Sequence, residues 1–564
     1  MNEVIFTTVM QLYRASVAAY DMYLEARDFP SAYLQLRFGL VIERQRLQLW
    51  AREISHNEQS PQDYMLWGLF KAILVKTLAA LEGGTRTMEE YEHDAGFPDM
   101  TDLSGSIREI EILETLSVPN IAPGSSRNIS SIARSIKFVM RDKKRLEQLV
   151  KELCYLNDSL NKLTSSLQQE SSRRRLRSYL SAEDVEQLQL LQEAAAFLEH
   201  YDIERMASTK RILTDSPRSN PLDLKSVTGA GLLDIPSDFE ISGDFLSFEA
   251  PFQADQTRTL AVYRRTDGHE ETVLVDWRCV RDDTWRRKNP ASFQKRVDGL
   301  AKILNQDLRS LDLCVLHCVG YYHQNSMTTG YIFRPPPGAS LTQYPTTLFS
   351  LFTNVQRSSD IPDLDERFEI AKGLVSTVFE FHNMGWMHKS LQSKNVLFWP
   401  SDDPRGRPNL KKPYLLGFDI SRPNLPGEVS EKPMSSAEDD VYRHPSYKGS
   451  DPHSFIPPYD IYSLGILLFE IGMWRSISQG HRRSRSSSRR DVSPYDPQLI
   501  EKVATGPVAD LGRHMGGKYR DAVLACLNLD FDRVWDDNAG PERMLKFQSE
   551  VQKRVVDPIA SCKF

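Results

Sequence analysis

Apolar residues recur at steps of three and four through most of the first 210 positions, which is the spacing of amphipathic helices. In the first segment two neighbouring stripes form one wide apolar face: Ile5, Val9, Leu12, Ala15 and Ala19, beside Phe6, Met10, Tyr13, Val17 and Tyr20. A face of this width suits a helix that packs on two neighbours. Further helices are predicted at about 32–54, 61–81, 130–163 and 183–200, with an extended loop at 96–127. The pattern therefore predicts an all-α helical bundle.

The periodicity changes after about residue 210. Ser216, Pro217 and Pro221, with Gly229 and Gly231, indicate a linker. Strand-like runs follow at 260–264, 272–278, 313–322 and 331–333, and long helices return from Asp365. We therefore predict a multidomain chain: a bundle at 1–210, a linker at 211–234 and a two-lobed α+β domain at 235–555. Its small lobe is placed at 235–340 and its large lobe at 341–555.

Composition adds limits to this picture. The chain has 564 residues, 40% hydrophobic and 26% charged, and a formal net charge of −6. Such a balance is typical of globular proteins, and it does not favour nucleic acid as a partner. The six cysteines are scattered without a CxxC pair, which indicates thiols in a reducing compartment and no metal site. Neither a signal peptide nor a spanning helix is evident, so a cytoplasmic protein is expected.

One segment of low complexity, HRRSRSSSRR at 481–490, stands apart from the rest. A solvated insertion explains it most simply. A basic loop under phosphorylation control is the alternative, because phosphate on its serines would cancel the positive charge.

The segment GWMHKSLQSKNVL at 385–397 resembles the catalytic loop of protein kinases. His388 matches the histidine of that loop and Asn395 its metal-binding asparagine. Ser390 stands where a kinase has the aspartate that orients and deprotonates the substrate hydroxyl. A serine hydroxyl is not a base near neutral pH, so the resemblance implies the fold and argues against the chemistry.

Two further segments depart from the kinase pattern. In PYLLGFDI, at 413–420, Gly417 replaces the metal-binding aspartate, and Asp419 lies two residues away, roughly 6–7 Å along an extended chain. In TVLVDWR, at 272–278, Arg278 stands where the phosphate-pairing lysine would be, and arginine is not its equivalent. The next helix offers Asp298 as its nearest acidic partner. Arg278, Asn395 and Asp419 are therefore candidate remnants of a site for ATP, with or without Mg²⁺.

The architectural motif YDIYSLG at 459–465 is retained, and Asp460 is expected to hold the backbone of the catalytic-like loop. A kept scaffold without the base and the metal-binding aspartate describes a pseudokinase.

The first 200 residues carry a second resemblance. The run LYRASVAAYD at 12–21, then 26–29, and RLQLW at 46–50 resemble the fungal HeLo domain of the prion-inhibition and propagation family. The stretch at 141–153 is similar to a later long helix of that domain. The resemblance implies a role in programmed cell death or heterokaryon incompatibility, through an N-terminal helix that reaches a membrane. Residues 1–24 include Glu3, Gln11, Arg14 and Asp21, so surface association fits them better than insertion.

The leading hypothesis is a signalling protein in which a pseudokinase-like domain regulates a membrane-active helical bundle. Protein partners, self-association into a homo-oligomer and recruitment from the cytoplasm to a membrane through residues 1–24 would then be expected. Two alternatives stay open. One is an active atypical serine/threonine kinase that uses Asp419, and the other is a non-catalytic interaction scaffold.

Overall fold

The structure, a computed structural model, describes most of the chain. The described residues are 2–26, 29–55, 64–82, 142–181, 185–214, 239–248, 257–279, 289–306, 313–325, 328–339, 343–400, 408–424, 439–448, 454–477, 507–528, 530–536 and 542–563. The predicted loop at 96–127, most of the predicted linker and the Arg/Ser-rich segment at 481–490 lie outside them.

The chain separates into two compact units. The first comprises Met1–Leu176 and Leu190–Glu204, and the second comprises Arg177–Gln189 and Arg205–Phe564. The segment Arg177–Gln189 therefore belongs to the second unit, although the residues on both sides of it belong to the first.

Seven helices are described before residue 215: α1 Asn2–Leu24, α2 Leu34–Ser55, α3 Tyr64–Leu81, α4 Lys143–Lys162, α5 Ser166–Leu180, α6 Val185–Phe197 and α7 Tyr201–Thr214. In the first unit α1 packs against α2 and α3, and α4 packs against the same two helices. Gly39 lets α2 approach α4 closely, since a Cβ atom there would lie 2.8 Å from Cγ1 of Val150. Helices α1 to α4 thus pack together as the apolar stripes predict.

The ends of these helices follow from local chemistry. The predicted helix at 130–163 is described from Asp142, whose side chain accepts a hydrogen bond from the backbone N–H of Lys144 and caps α4. The predicted helix at 183–200 ends earlier, because Glu199 adopts a left-handed φ of 60° and α7 begins at Tyr201. Helices α5 and α7 carry weak apolar patterns, and no separate helix was predicted for either.

After its helical segments, the second unit contains a five-stranded antiparallel sheet in the order β1-β2-β3-β5-β4. Its strands are β1 Leu246–Phe248, β2 Arg258–Arg264, β3 Glu270–Cys279, β4 Cys318–Asn325 and β5 Thr328–Phe333, with α8 Pro290–Asn305 packed on β4. The strand predicted at 313–322 starts only at Cys318. Further upstream, the carbonyl of Cys314 accepts a hydrogen bond from the N–H of Leu415.

Helices dominate the rest of the second unit. The described elements are β6 Thr346–Thr347, α9 Leu348–Thr353, α10 Leu364–Asn383, β7 Trp386–Met387, β8 Val396–Phe398, β9 Tyr414–Leu415, β10 Arg422–Pro423, α11 Pro457–Met473, α12 Pro507–Met515, α13 Gly517–Leu527, α14 Asp530–Asp536, α15 Arg543–Val551 and α16 Asp557–Ser561. Leu374, Leu467 and Val523, from α10, α11 and α13, are fully buried in its main core. The unit is a mixed α/β region in which a sheet precedes helices.

Helix α1 has one face inside the first unit. Val9, Tyr20 and Tyr23 are fully buried, and the Tyr23 hydroxyl donates to the Leu81 carbonyl over 3.0 Å. Within the described residues, every helix is too short or too polar to cross a membrane. Membrane association of residues 1–24 stays a prediction.

Candidate functional site

Asp460 holds the loop that the sequence singled out. It lies in the first turn of α11 and is fully buried. One carboxylate oxygen accepts from the backbone N–H of His388 and the other from that of Lys389, each over 2.8 Å. Lys389 has a left-handed φ of 67°, a conformation that costs a non-glycine residue free energy and needs such support. Asp460 therefore fixes the backbone immediately before Ser390.

His388 is held as a neutral ring. Its Nδ1 accepts from the Ser390 N–H over 3.2 Å, so Nε2 is the nitrogen that donates to the Leu416 carbonyl, 3.1 Å away. Burial lowers the pKa of His388 to about 4. With both nitrogens engaged, His388 connects the loop to the segment before Gly417.

Asn395 lies at the centre of a polar cluster. Its Nδ2 donates to the Ser390 carbonyl over 2.8 Å and lies 3.2 Å from the Ser390 hydroxyl. Its Oδ1 accepts from Arg258 on β2 over 2.8 Å. Arg258 also donates to the Asp276 carboxylate on β3 over 2.8 Å, and Asp276 accepts from the Gly417 N–H over 2.9 Å. We call these five residues, Arg258, Asp276, Ser390, Asn395 and Gly417, the Arg258 cluster.

Gly417 fits this cluster because it has no side chain. Its φ is 81°, and a Cβ atom would lie 2.2 Å from the Asn395 side chain. In this arrangement position 417 therefore excludes every carboxylate-bearing residue, the aspartate of kinases included.

The remaining predicted residues of the kinase-like motifs are Arg278, Asp298 and Asp419. Arg278 is buried, with its guanidinium carbon 4.7 Å from the centre of the Phe293 ring on α8. Asp298 accepts a hydrogen bond from the Tyr321 hydroxyl over 2.7 Å. Asp419 lies partly buried in the turn after Phe418. The proposed roles of Arg278, Asn395 and Asp419 in nucleotide binding remain predictions.

Sequence reasoning missed Arg258 and Asp276. Arg278, the residue that the motif singled out on β3, lies two positions after Asp276, and side chains two positions apart on a strand share a face. Two signals were available: a lone charge inside the aliphatic run VLVDW, and an arginine on the preceding strand. Arg258 and Asp276 are direct partners in the register of β2 and β3.

A second buried network joins this loop to α11. The hydroxyl groups of Ser393 and Tyr442 lie 2.7 Å apart, and the Tyr442 hydroxyl donates to Glu470 over 2.7 Å. The other Glu470 oxygen accepts from the Ile477 N–H over 2.9 Å. Burial raises the pKa of Glu470 to about 7, against hydrogen bonds that favour the carboxylate. Glu470 thus costs stability when it ionises.

Glu470→Gln should remove a pH dependence of folding. Because the folded pKa is raised, the wild-type contribution is present at pH 4.5 and below and is lost as pH rises through 7. The folding free energy lost over this pH range is roughly 3 kcal/mol. Urea unfolding of both proteins from pH 5 to 8 measures the difference, which should grow in favour of the variant. Glu369→Gln, at an exposed position on α10, is the control. Parallel pH profiles for wild type and Glu470→Gln would contradict the assignment.

The first unit contains a separate buried polar cluster. Glu43, Cys154 and His200 place potential ligand atoms within 4.8 Å of one another. Nη1 of Arg46 lies between them, 2.9 Å from Glu43 Oε2, 3.7 Å from Cys154 Sγ and 3.3 Å from His200 Nε2. Glu43 accepts from Asn157 as well, and Arg46 and His200 help to lower its pKa to about 2. The guanidinium therefore supplies the positive charge at this point, and we assign no metal ion.

Comparison with known families gives two matches, one in the N-terminal part of the chain and one in the C-terminal part. Residues 5–191 match the HeLo domain, described as prion-inhibition and propagation. Residues 278–561 match a domain of unknown function, DUF7580. No curated protein matches the chain. The DUF7580 match covers half of the sequence, so the chain belongs to the DUF7580 family and carries an N-terminal HeLo domain.

Proposed function

We propose that this chain is a fungal signalling protein of the cell-death or incompatibility type, in which a pseudokinase-like second unit restrains the HeLo domain. The HeLo match indicates the coarser part of this role. One observation carries the proposed pseudokinase role, namely the loop at Ser390. Asp460 holds the backbone of this loop, but the loop has no carboxylate that could act as the catalytic base.

The scaffold supports a kinase-like architecture. A five-stranded antiparallel sheet with one helix precedes a helical region, and Asp460 contacts the loop backbone as the kinase resemblance implies. The chemistry is missing in the same place, because Ser390 offers no carboxylate and Gly417 leaves no room for one. The combination favours a fold used for binding and regulation.

Contacts of Arg177 support the restraint. Arg177 and Ser178 lie in the second unit, although the HeLo match continues to residue 191. Nε and Nη2 of Arg177 donate to Oε1 of Glu380 over 3.1 and 2.6 Å. Both side chains are buried, and the Ser178 hydroxyl donates to Gln548 over 3.0 Å. A segment matched by the HeLo family is therefore held inside the second unit by a buried ion pair.

A growth assay tests the proposal. Residues 1–210 expressed in a fungal host should impair growth and reach the membrane fraction, whereas the full chain should do neither without a cue. As a control, the full chain carrying Arg173→Met, an exposed change on α5, should behave as the unaltered full chain does. Absence of both effects from residues 1–210 would refute the cell-death role.

The alternative of an active kinase depends on Asp419. Asp419 lies in the turn beyond Gly417, two residues from the position at which a kinase has its metal-binding aspartate. Purified full chain should transfer no phosphate from ATP and Mg²⁺ above background. Transfer that Asn395→Ala abolishes would favour the kinase.

A further inference from the structure

A kinase-like fold implies a Mg²⁺ ion beside the catalytic-like loop, and the donor set can be tested for it. Mg²⁺ requires oxygen ligands in near-octahedral geometry. The amide oxygen of Asn395 is the ligand that the kinase resemblance assigns, and position 417 offers none. Asp276, on β3, is the carboxylate of the cluster.

Arg258 already uses these oxygens. Its Nε donates to Asp276 Oδ1 over 2.8 Å, its Nη2 to Asn395 Oδ1 over 2.8 Å and its Nη1 to the Lys394 carbonyl over 2.9 Å. The Arg258 side chain is 12% exposed and that of Asp276 is 6% exposed. The remaining Asp276 oxygen accepts from the Gly417 N–H.

The charges reinforce this geometry. A guanidinium is permanently protonated, so a divalent ion within reach of the same oxygens would meet a buried positive charge. The ion would have to displace Arg258 from both Asp276 and Asn395. The residues present therefore do not fit a Mg²⁺ ion.

We propose that Arg258 is a built-in replacement for the divalent cation: it excludes metal from the Arg258 cluster and joins β2 and β3 to the catalytic-like loop without any ligand. This inference rests on the kinase-like part of the proposed function and is independent of the growth phenotype. The oxygens of Asp276 and Asn395 remain competent metal ligands once the guanidinium is removed.

The test compares wild-type full chain with Arg258→Met. Mn²⁺, detected by electron paramagnetic resonance, should bind Arg258→Met and raise its unfolding midpoint by roughly 2–4 °C, and it should do neither for wild type. Adding Asp276→Asn to Arg258→Met should abolish the gain. Arg264→Met, at an exposed position on the same strand, is the control that should behave as wild type.

Two results would overturn the proposal. One is Mn²⁺ binding by wild type that Asp276→Asn removes, and the other is folded Arg258→Met that gains no Mn²⁺ binding. If Arg258→Met does not fold by itself, its refolding yield with and without Mn²⁺ decides. Recovery with the ion supports the proposal, and no recovery refutes it.

Discussion

Replacing Arg177 by methionine should destabilise the second unit by about 3–5 kcal/mol, since it leaves the fully buried Glu380 carboxylate without its cation. Asn383 donates to the other Glu380 oxygen over 3.2 Å and cannot replace the lost charge. Urea unfolding of the full chain measures the loss. Arg173→Met, on the same helix at a side chain that is 63% exposed, should cost within about 0.5 kcal/mol.

A second change separates the ion pair from its surroundings. Glu380→Gln added to Arg177→Met removes the uncompensated charge and should recover part of the stability. In the growth assay, full chain carrying Arg177→Met should acquire the effect of residues 1–210. Additive losses in the two variants, or full-length Arg177→Met as inert as wild type, would contradict the restraining role of this pair.

Asp460→Asn should loosen the loop before Ser390. An amide in place of the carboxylate directs a donor at one of the two backbone N–H groups of His388 and Lys389, which then stays buried without an acceptor. The expected loss is about 3 kcal/mol, because a charge-assisted hydrogen bond disappears and a desolvation cost is added. Hydrogen exchange at these two amides should accelerate more than elsewhere in the second unit.

The control for this change is Asp365→Asn, which alters an exposed carboxylate paired with Lys411. It should leave exchange at His388 and Lys389 unchanged. Unaltered exchange in Asp460→Asn would mean that the loop keeps its conformation without the carboxylate. The left-handed Lys389 would then need another source of support.

Much of the fold follows from local sequence patterns. Helix α1 was predictable because its apolar residues recur at steps of three and four. Strands β2 and β3 were predictable because each contains a short strand-like apolar run. Helix α5 was not resolved as a separate helix, since its SSRRRLRS core carries little apolar periodicity. Its end is stabilised by Glu380, a residue 203 positions later, and such a partner is invisible in the local pattern.

The candidate site was predictable only where a motif fixes both residue type and spacing. Asp460, His388, Ser390 and Asn395 lie together as their motifs imply. Arg258 and Asp276 come from strands, where the partner is set by sheet register and by the approach of Gly417 to β3. Sequence spacing alone determines neither the sheet register nor this approach, so the contacts across the cluster could not be predicted from the sequence.

Gly417 limits which substitutions the Arg258 cluster can accept one at a time. An aspartate at this position would have to move Asn395, to which the new side chain would lie too close. Moving Asn395 would in turn release Arg258 from one of its acceptors and weaken its pairing with Asp276, so the change would lose stability. A carboxylate at position 417 would therefore require several compensating substitutions together.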